Sequence, residues 1–357
     1  MNNAPTTDSV MYQTMHRQPS DLRGLLDGGW EPAQEAAQRL AGARRIYTVG
    51  IGTSYHAALV GAWLLRAAGS DARAVSSFDF AVYSEAVELK SDDAVIVMAH
   101  SGVKTYSSES LRRAAAVGAT RISVGSLSAV HEGSQQVLRT VERERSAAFT
   151  ASHLTAMTVI AQIAAVLGET RAAPAAEGFR AALQQLPDQV ADVLARAAEV
   201  LPIAREAATR RVYAAGAGPN EATATEAVIK VREAAQGWID ALPIEQFLHG
   251  PIVSVNADDL AVVVNVAGRA AERVGQITRV LDAVGARMWL IGGHVEGLVR
   301  QPTVFALPDL PELISPLLAV VPVQLLAYHM ATVKGINPDL FRRDDERYAA
   351  AFKLLTL

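Results

Sequence analysis

The sequence predicts an α/β protein built from two copies of one unit, each a parallel sheet flanked by helices. Short β-branched runs alternate with Ala-rich helical stretches, the pattern of parallel strands joined by helical crossovers. The chain also repeats itself: ARRIYTVGIG at 43–52 resembles TRRVYAAGAG at 209–218, 166 residues later. Alternation and repetition together indicate two tandem copies.

Two further segment pairs support the duplication. DDAVIVMAHSG at 92–102 matches DDLAVVVNVAG at 258–268 at the same offset of 166, and VGATRISVG at 117–125 matches VGARMWLIG at 284–292 at an offset of 167. The pairs keep their order along the chain. We therefore predict strands near 45–50, 72–76, 94–99 and 121–125 in the first copy, and near 211–215, 238–241, 260–266 and 287–291 in the second.

The segments around the two copies complete the predicted domain organisation. We expect a helical lead-in at 1–42, a first domain at 43–170, a helical linker at 171–206, a second domain at 207–335 and a C-terminal tail at 336–357. The apolar run Ile314–Val333 is long enough to raise the question of a membrane span. Because prolines and polar residues interrupt it, a helix buried in a large core is the better interpretation.

Composition excludes several classes of function. Of 357 residues, 50% are hydrophobic and 20% charged, which is ordinary for a soluble α/β protein with about two cores. The net charge of −4, without a dense Lys/Arg block, argues against nucleic acid or an anionic membrane as partner. The absence of cysteine excludes disulfides and thiolate sites, and the scattered histidines predict no metal. No signal peptide is visible at the N-terminus, so we expect a cytoplasmic protein. We expect no cofactor.

Two glycine-containing loops follow predicted strands and precede predicted helices. They are GIGTS at 50–54 and AHSGVKT at 99–105. Backbone N–H groups, helix N-termini and hydroxyls can converge there on one anion. Neither loop is a dinucleotide or Walker motif, and each alone could be a simple tight turn. Two such loops in one domain favour anion binding, with these candidate residues: Gly52, Thr53, Ser54, His100, Ser101, Lys104 and Thr105.

The stretch 226–251 carries the candidate catalytic groups. Glu226, Lys230 and Glu233 are spaced i, i+4, i+7, which places all three on one face of a helix. His249 follows, directly before Gly250. A carboxylate, a cation and an imidazole are the groups needed to open a sugar ring and move a proton between adjacent carbons. The same spacing also fits a salt-bridged surface helix and an ordinary core histidine.

Five ordered motifs resemble the sugar isomerase (SIS) family. They are GIGTSYHAALV at 50–60, the loop at 99–105, EAVIKVRE at 226–233, EQFLHGP at 245–251 and SPLLAVVPVQLLAYHMA at 315–331. They look most like the isomerase half of glucosamine-6-phosphate synthase, which has two SIS units in tandem. The resemblance runs from about residue 11 to the C-terminus and implies two flavodoxin-like, three-layer α/β domains.

The resemblance also implies roles for individual residues. Glu233 corresponds to the general base that shuttles a proton between C1 and C2, and Lys230 to a lysine near the reacting oxygens. His249 corresponds to the ring-opening acid/base, which the neighbouring subunit of a homodimer contributes. Lys353 matches a C-terminal lysine near the sugar. Because FRRDDERYAAAF lengthens the tail before it, Arg342 or Arg343 could take that role.

Departures from the family pattern affect the expected substrate. No glutaminase domain and no cysteine are present, so glutamine-dependent synthesis is not expected. Ser54 and Ser101 keep family phosphate-binding hydroxyls, whereas Ala99 replaces a serine, His100 a glutamine and Lys104 a threonine. Fewer hydroxyls and one added cation would suit a sulfonate as well as a phosphate.

We therefore expect an aldose–ketose isomerase that acts through a cis-enediol on a sugar 6-phosphate or a 6-sulfonate sugar such as sulfoquinovose. The alternatives are an amino-sugar-6-phosphate deaminase, a related deglycase and a non-catalytic SIS sensor. The low basic charge of residues 1–42 disfavours the sensor, because such sensors usually accompany a DNA-binding helix-turn-helix.

Overall fold

The computed structural model describes residues 8–355, except the side chain of Ala86, and contains two five-stranded parallel sheets flanked by helices. The strands are β1 Ile46–Gly50, β2 Ala72–Ser76, β3 Ala94–Met98, β4 Thr120–Gly125, β5 Gln136–Arg139, β6 Val212–Gly216, β7 Ile239–Pro243, β8 Leu260–Asn265, β9 Arg287–Gly292 and β10 Thr303–Phe305. The order is β2-β1-β3-β4-β5 in the first sheet and β10-β9-β8-β6-β7 in the second.

Helices connect most of the consecutive strands, as predicted. They are α1 Val10–Gly28, α2 Trp30–Leu40, α3 Thr53–Ala67, α4 Ser77–Val82, α5 Thr105–Ala116, α6 Ala151–Arg171, α7 Phe179–Ala195, α8 Leu201–Ala207, α9 Glu221–Ala235, α10 Ile244–Leu248, α11 Ala271–Val284, α12 Pro316–Val333 and α13 Glu346–Phe352. Read from its other edge, the second sheet repeats the strand order of the first, so each element from β1 to β5 has a counterpart from β6 to β10.

All eight predicted strands are confirmed, each to within about two residues, whereas the fifth strand of each sheet was missed. β5 has four residues and β10 has three, and both are edge strands. Such short edge strands carry no apolar run, so no periodicity distinguishes them from loops. By contrast, every residue of β1, β3 and β8 is buried, as expected for central strands with both faces covered.

The chain forms two compact units. The first-sheet unit comprises Ser20–Leu183 with the described part of Pro338–Leu357, and the second-sheet unit comprises Gln184–Asn337 with the described part of Met1–Pro19. Two of the boundaries fall inside α1 and α7. The lead-in and the linker of the predicted domain organisation are therefore each divided between the two units.

Each unit contains one long apolar helix. α6 packs on α3 in the first-sheet unit, and α12 packs on α9 in the second-sheet unit. Among the described residues these two helices are long and apolar enough to cross a membrane, and 89% of each is buried within the protein. The prediction of a buried core helix in the run 314–333 is confirmed.

Core packing in the second-sheet unit can be tested with two tryptophans. Trp289 in β9 is completely buried beside Phe305, whereas Trp238 is 64% exposed. Trp289→Ala should lower the free energy of unfolding by about 3–5 kcal/mol, because it removes buried apolar surface and leaves a cavity. Trp238→Ala is the matched control and should cost less than about 1 kcal/mol. Denaturant unfolding of both variants gives the comparison, and equal losses would contradict the assigned burial.

Candidate active site

The first glycine loop connects β1 to α3 in a backbone conformation that requires glycine. Gly52 has φ 58° and ψ −132°, and a Cβ added at Gly50 would lie 2.4 Å from the carbonyl oxygen of Ser54. The chain therefore turns tightly into α3, whose first residues are Thr53 and Ser54, both half-buried. Their hydroxyls and the N-terminal amides of α3 lie at the carboxyl end of β1, where parallel sheets bind ligands.

The second glycine loop connects β3 to α5. Gly102 has φ 100°, and Thr105, the first residue of α5, has φ 34°. A positive φ is unusual for a β-branched residue, and such strain occurs preferentially at functional sites. Ser101 is half-buried, whereas Lys104 and Thr105 are exposed. The ammonium of Lys104 is therefore accessible to an anion at this end of the sheet.

The two loops line one small cavity. Its walls include Thr53 and Ser54 from the first loop and Ala99 and His100 from the second. This convergence follows from the topology, because β1 and β3 are neighbours in the sheet. The loops predicted to share one anion are thus next to each other.

His100 is a buried and neutral member of the second loop. The main-chain N–H of Glu144 donates to its Nε2 at 3.2 Å, so the neutral ring carries its proton on Nδ1. Burial, with a smaller contribution from the charge of Arg143, lowers the pKa of His100 to about 4. At neutral pH His100 can therefore donate a hydrogen bond and adds no positive charge.

The equivalent loops of the second copy differ in chemistry. At the offset of 166 residues, Pro219, Asn220 and Ala267 replace Thr53, Ser54 and Ser101. The carboxylate of Glu312 lies against Gly268, the counterpart of Gly102, and accepts a hydrogen bond from the N–H of Arg269 at 3.1 Å. A carboxylate of the chain itself thus lies on the second copy's loop, where it would repel an anion. We therefore assign the candidate anion site to the first copy.

Glu226, Lys230 and Glu233 lie on one face of α9 and form a mostly buried set. Lys230 Nζ is 2.8 Å from Glu233 Oε2 and 3.5 Å from Glu226 Oε1. The side chains of Lys230 and Glu226 are 1% and 0% exposed, whereas that of Glu233 is 24% exposed. This arrangement differs from a salt-bridged surface helix. Glu233 is the carboxylate of the set that solvent, and hence a ligand, can reach.

His249 is exposed rather than buried in the core. Its side chain is 69% exposed, and its Nε2 is 2.8 Å from Glu245 Oε1, one turn earlier in α10. Arg273 donates to both oxygens of Glu245, at 2.6 and 2.7 Å. Arg273 first, and His249 second, lower the pKa of Glu245 to about 2. The carboxylate of Glu245 therefore orients the imidazole of His249, most of which is exposed to solvent.

The candidate cations of the tail belong to the first-sheet unit. Lys353 directly follows α13 and is exposed, and Arg343 is exposed as well. Arg342 donates to Tyr348 Oη at 2.8 Å and lies over the same ring at 3.8 Å. Because Arg342 is held by the tail itself, Lys353 and Arg343 are the better candidates for contact with an anionic ligand.

Sequence reasoning missed Glu144, which supports the second loop from the side of α6. Its carboxylate accepts from the N–H groups of Thr150 at 2.9 Å and Ser152 at 2.6 Å, and so caps the N-terminus of α6. Its own N–H orients His100. Glu144 lies outside the N-cap and the first turn of α6, where the usual sequence signals of a helix start are found. The contact with His100, 44 residues away, has no local signal.

Curated relatives cover nearly the whole chain. The chain is 27% identical over 337 residues to the isomerizing glutamine–fructose-6-phosphate aminotransferase of Pyrococcus horikoshii, and 26% identical over 338 residues to that of Thermococcus kodakarensis. These alignments include 93% and 92% of this chain but 56% of each relative. The chain thus spans about half the length of these curated relatives.

Solved structures share the fold over both units. The C-terminal domain of glucosamine-fructose-6-phosphate aminotransferase from Francisella tularensis has a TM-score of 0.83 at 18% identity, with 93% of this chain and 98% of that chain covered. The tagatose-6-phosphate ketose/aldose isomerase of Escherichia coli has a TM-score of 0.76 at 19% identity, with 95% and 96% covered. A glucosamine-6-phosphate deaminase of Thermotoga maritima has a TM-score of 0.72 at 16% identity, with 93% and 97% covered.

The SIS domain family matches residues 39–166, a range that includes both glycine loops of the candidate site. The resemblance drawn from the sequence motifs is confirmed by this match and by the curated homologues. This chain therefore carries a SIS domain at residues 39–166.

Proposed function

We propose that this protein is an aldose–ketose isomerase that acts, through a cis-enediol, on a hexose with an anionic group at C6. The observation that carries the proposal is the carboxylate of Glu233, which is partly buried and lies 2.8 Å from the ammonium of a fully buried lysine. A fixed base beside a fixed cation suits the transfer of a proton next to a carbonyl, because negative charge develops on the sugar oxygens. The repeated strand order of the second sheet supports a tandem pair of SIS domains.

Each candidate residue has a proposed role. The two glycine loops bind the anionic group and thereby fix the sugar's position. Glu233 moves a proton between C2 and C1, and Lys230 stabilises the enediolate oxygen. His249 opens the ring, and Lys353 binds the sugar near its reacting end.

The chemistry of the anion loop supports a singly charged group. A phosphate monoester carries a charge of about −1.5 to −2 at neutral pH, whereas a sulfonate carries one negative charge. Ala99 offers no hydroxyl, His100 is neutral, and Lys104 is the exposed cation of the loop. We therefore propose two candidate substrates, a sugar 6-phosphate and a 6-sulfonate sugar such as sulfoquinovose.

Replacement of the proposed base tests the reaction itself. Glu233→Gln should lower kcat by about 10²- to 10⁴-fold with little change in substrate affinity, since the amide cannot accept the proton. Deuterium exchange at C2, followed by NMR in ²H₂O with glucose 6-phosphate, glucosamine 6-phosphate and sulfoquinovose, gives the readout. Ammonia release from glucosamine 6-phosphate would indicate the deaminase instead.

Glu221→Gln is the matched control for this variant. Glu221 lies on the same helix and is half-buried, and burial raises its pKa. The control should retain wild-type exchange. Wild-type turnover in Glu233→Gln would contradict the mechanism, and the absence of exchange with all three sugars would favour the deglycase or the sensor.

We also propose a homodimer in which each subunit donates His249 to its partner. The exposure of His249, and of Val253 at 88%, supports this arrangement. Glu233→Gln and His249→Asn should each be inactive alone. Random mixing of the two by co-expression or subunit exchange should restore about a quarter of wild-type activity, because half of the dimers then contain one complete site of two. No recovery in mixed dimers would show that both residues act within one chain.

The role of Lys104 predicts a change in KM. Lys104→Met should raise KM by about 10- to 100-fold and leave kcat nearly unchanged, because loss of a charge-assisted hydrogen bond costs about 1.5–3 kcal/mol. Lys90→Met, which removes an exposed lysine paired with Glu88 in the same unit, is the control. Steady-state kinetics with a 6-phosphate and a 6-sulfonate sugar provides the comparison. An unchanged KM for both sugars would exclude Lys104 as a ligand.

A further inference from the structure

Arg139, an exposed residue at the end of β5, holds the segment that follows β4. Its Nη1 donates to the carbonyl oxygens of Ser126 at 2.8 Å and Ala129 at 2.6 Å. One guanidinium thus joins two points of the segment 126–131 to the edge of the sheet. Both bonds come from one nitrogen, whose two N–H groups have fixed directions in the plane of the guanidinium.

The segment 126–131 in turn contacts the second glycine loop on both sides of Ser101. The N–H of Ser126 donates to the carbonyl of His100 at 3.0 Å, and the N–H of Val103 donates to the carbonyl of Val130 at 3.2 Å. A Cβ added at Gly102 would lie 2.9 Å from the same Val130 oxygen. The position of the loop therefore depends directly on the position of this segment.

His131 packs beneath the loop without adding a charge. Its ring lies against Gly125, so close that a Cβ there would be 2.0 Å from Nε2. Burial first, and then the charges of Arg139 and of His100, lower the pKa of His131 to about 4. At neutral pH His131 thus fills space, and Arg139 provides the polar contacts that hold the segment.

We propose that Arg139 is a positioning residue, which sets the shape of the anion-binding loop at 99–105 through the segment 126–131. The inference rests on the proposed function in one respect, that this loop binds the charged group of the sugar. Arg139 is assigned no contact with the substrate. Its effect is on binding, because backbone amides and hydroxyls bind an anion tightly only when they are already in place.

The test compares two arginines in neighbouring strands. Arg121 in β4 also donates to two carbonyl oxygens, those of Gly133 and Ala119, each at 2.9 Å, but neither belongs to the segment 126–131. Arg139→Met should raise KM by about 5- to 50-fold with kcat within about twofold, as for loss of one or two hydrogen bonds. Arg121→Met should leave both parameters near wild type. Arg139→Lys should recover only part of the loss.

Two measurements make the result independent of turnover. The affinity for glucitol 6-phosphate, a polyol that cannot isomerise, should fall in Arg139→Met to the same extent as KM rises. Hydrogen exchange of the amides at 99–105 should become faster in Arg139→Met and stay unchanged in Arg121→Met. A thermal midpoint near wild type for both variants separates this local change from general destabilisation.

The outcomes distinguish the two proposals. If the protein lacks isomerase activity but Arg139→Met weakens glucitol 6-phosphate binding and loosens the loop, the positioning role stands and the proposed function fails. If wild type is active and Arg139→Met changes neither KM nor loop exchange, the positioning role is wrong. Equal effects of Arg139→Met and Arg121→Met on exchange would also overturn it, since the contribution would then be structural and general.

Discussion

Parallel strand pairing is the constraint on which the candidate site depends. In a parallel sheet every strand-to-helix loop emerges at the same edge, and adjacent strands bring their loops together there. β1 and β3 are hydrogen-bonded neighbours, with Val49 opposite Val97, and their loops line one cavity. Thr53 and Ser54 at the start of α3 therefore lie close to Ala99 and His100 of the second loop.

The two copies carry different side chains at equivalent positions. The first copy has hydroxyls in its loops, whereas the second has Pro219, Asn220 and Ala267 at those positions and carries Glu312 against the loop at Gly268. The helices α3 and α9 differ in the opposite way, because here the second copy carries the polar side chains. The counterparts of Glu226, Lys230 and Glu233 on α3 are Val60, Leu64 and Ala67.

The charged set of α9 shows what the second copy has gained. A buried ammonium without a partner is costly, and two flanking carboxylates reduce that cost. The two copies therefore share one strand order but carry different side chains: hydroxyls in the loops of the first and a buried charged set on α9 of the second. Neither His100 of the second glycine loop nor His131 beneath it adds a positive charge, because burial keeps both neutral at neutral pH. Glu144 contacts the ring of His100 directly, and Arg139 contacts the segment 126–131, which in turn contacts the loop.

The sequence alone determined the features that repeat over short distances. Eight of the ten strands, the duplication, the two glycine loops and the charged face of α9 follow from apolar periodicity, from fixed offsets and from i, i+4, i+7 spacing. Tertiary structure alone decided that Lys230 is buried and His249 exposed, because burial depends on which elements pack around a helix. It also decided that Glu144 and Arg139 support the loop that contains His100. Those contacts join residues that lie far apart in the chain, and no local pattern encodes them.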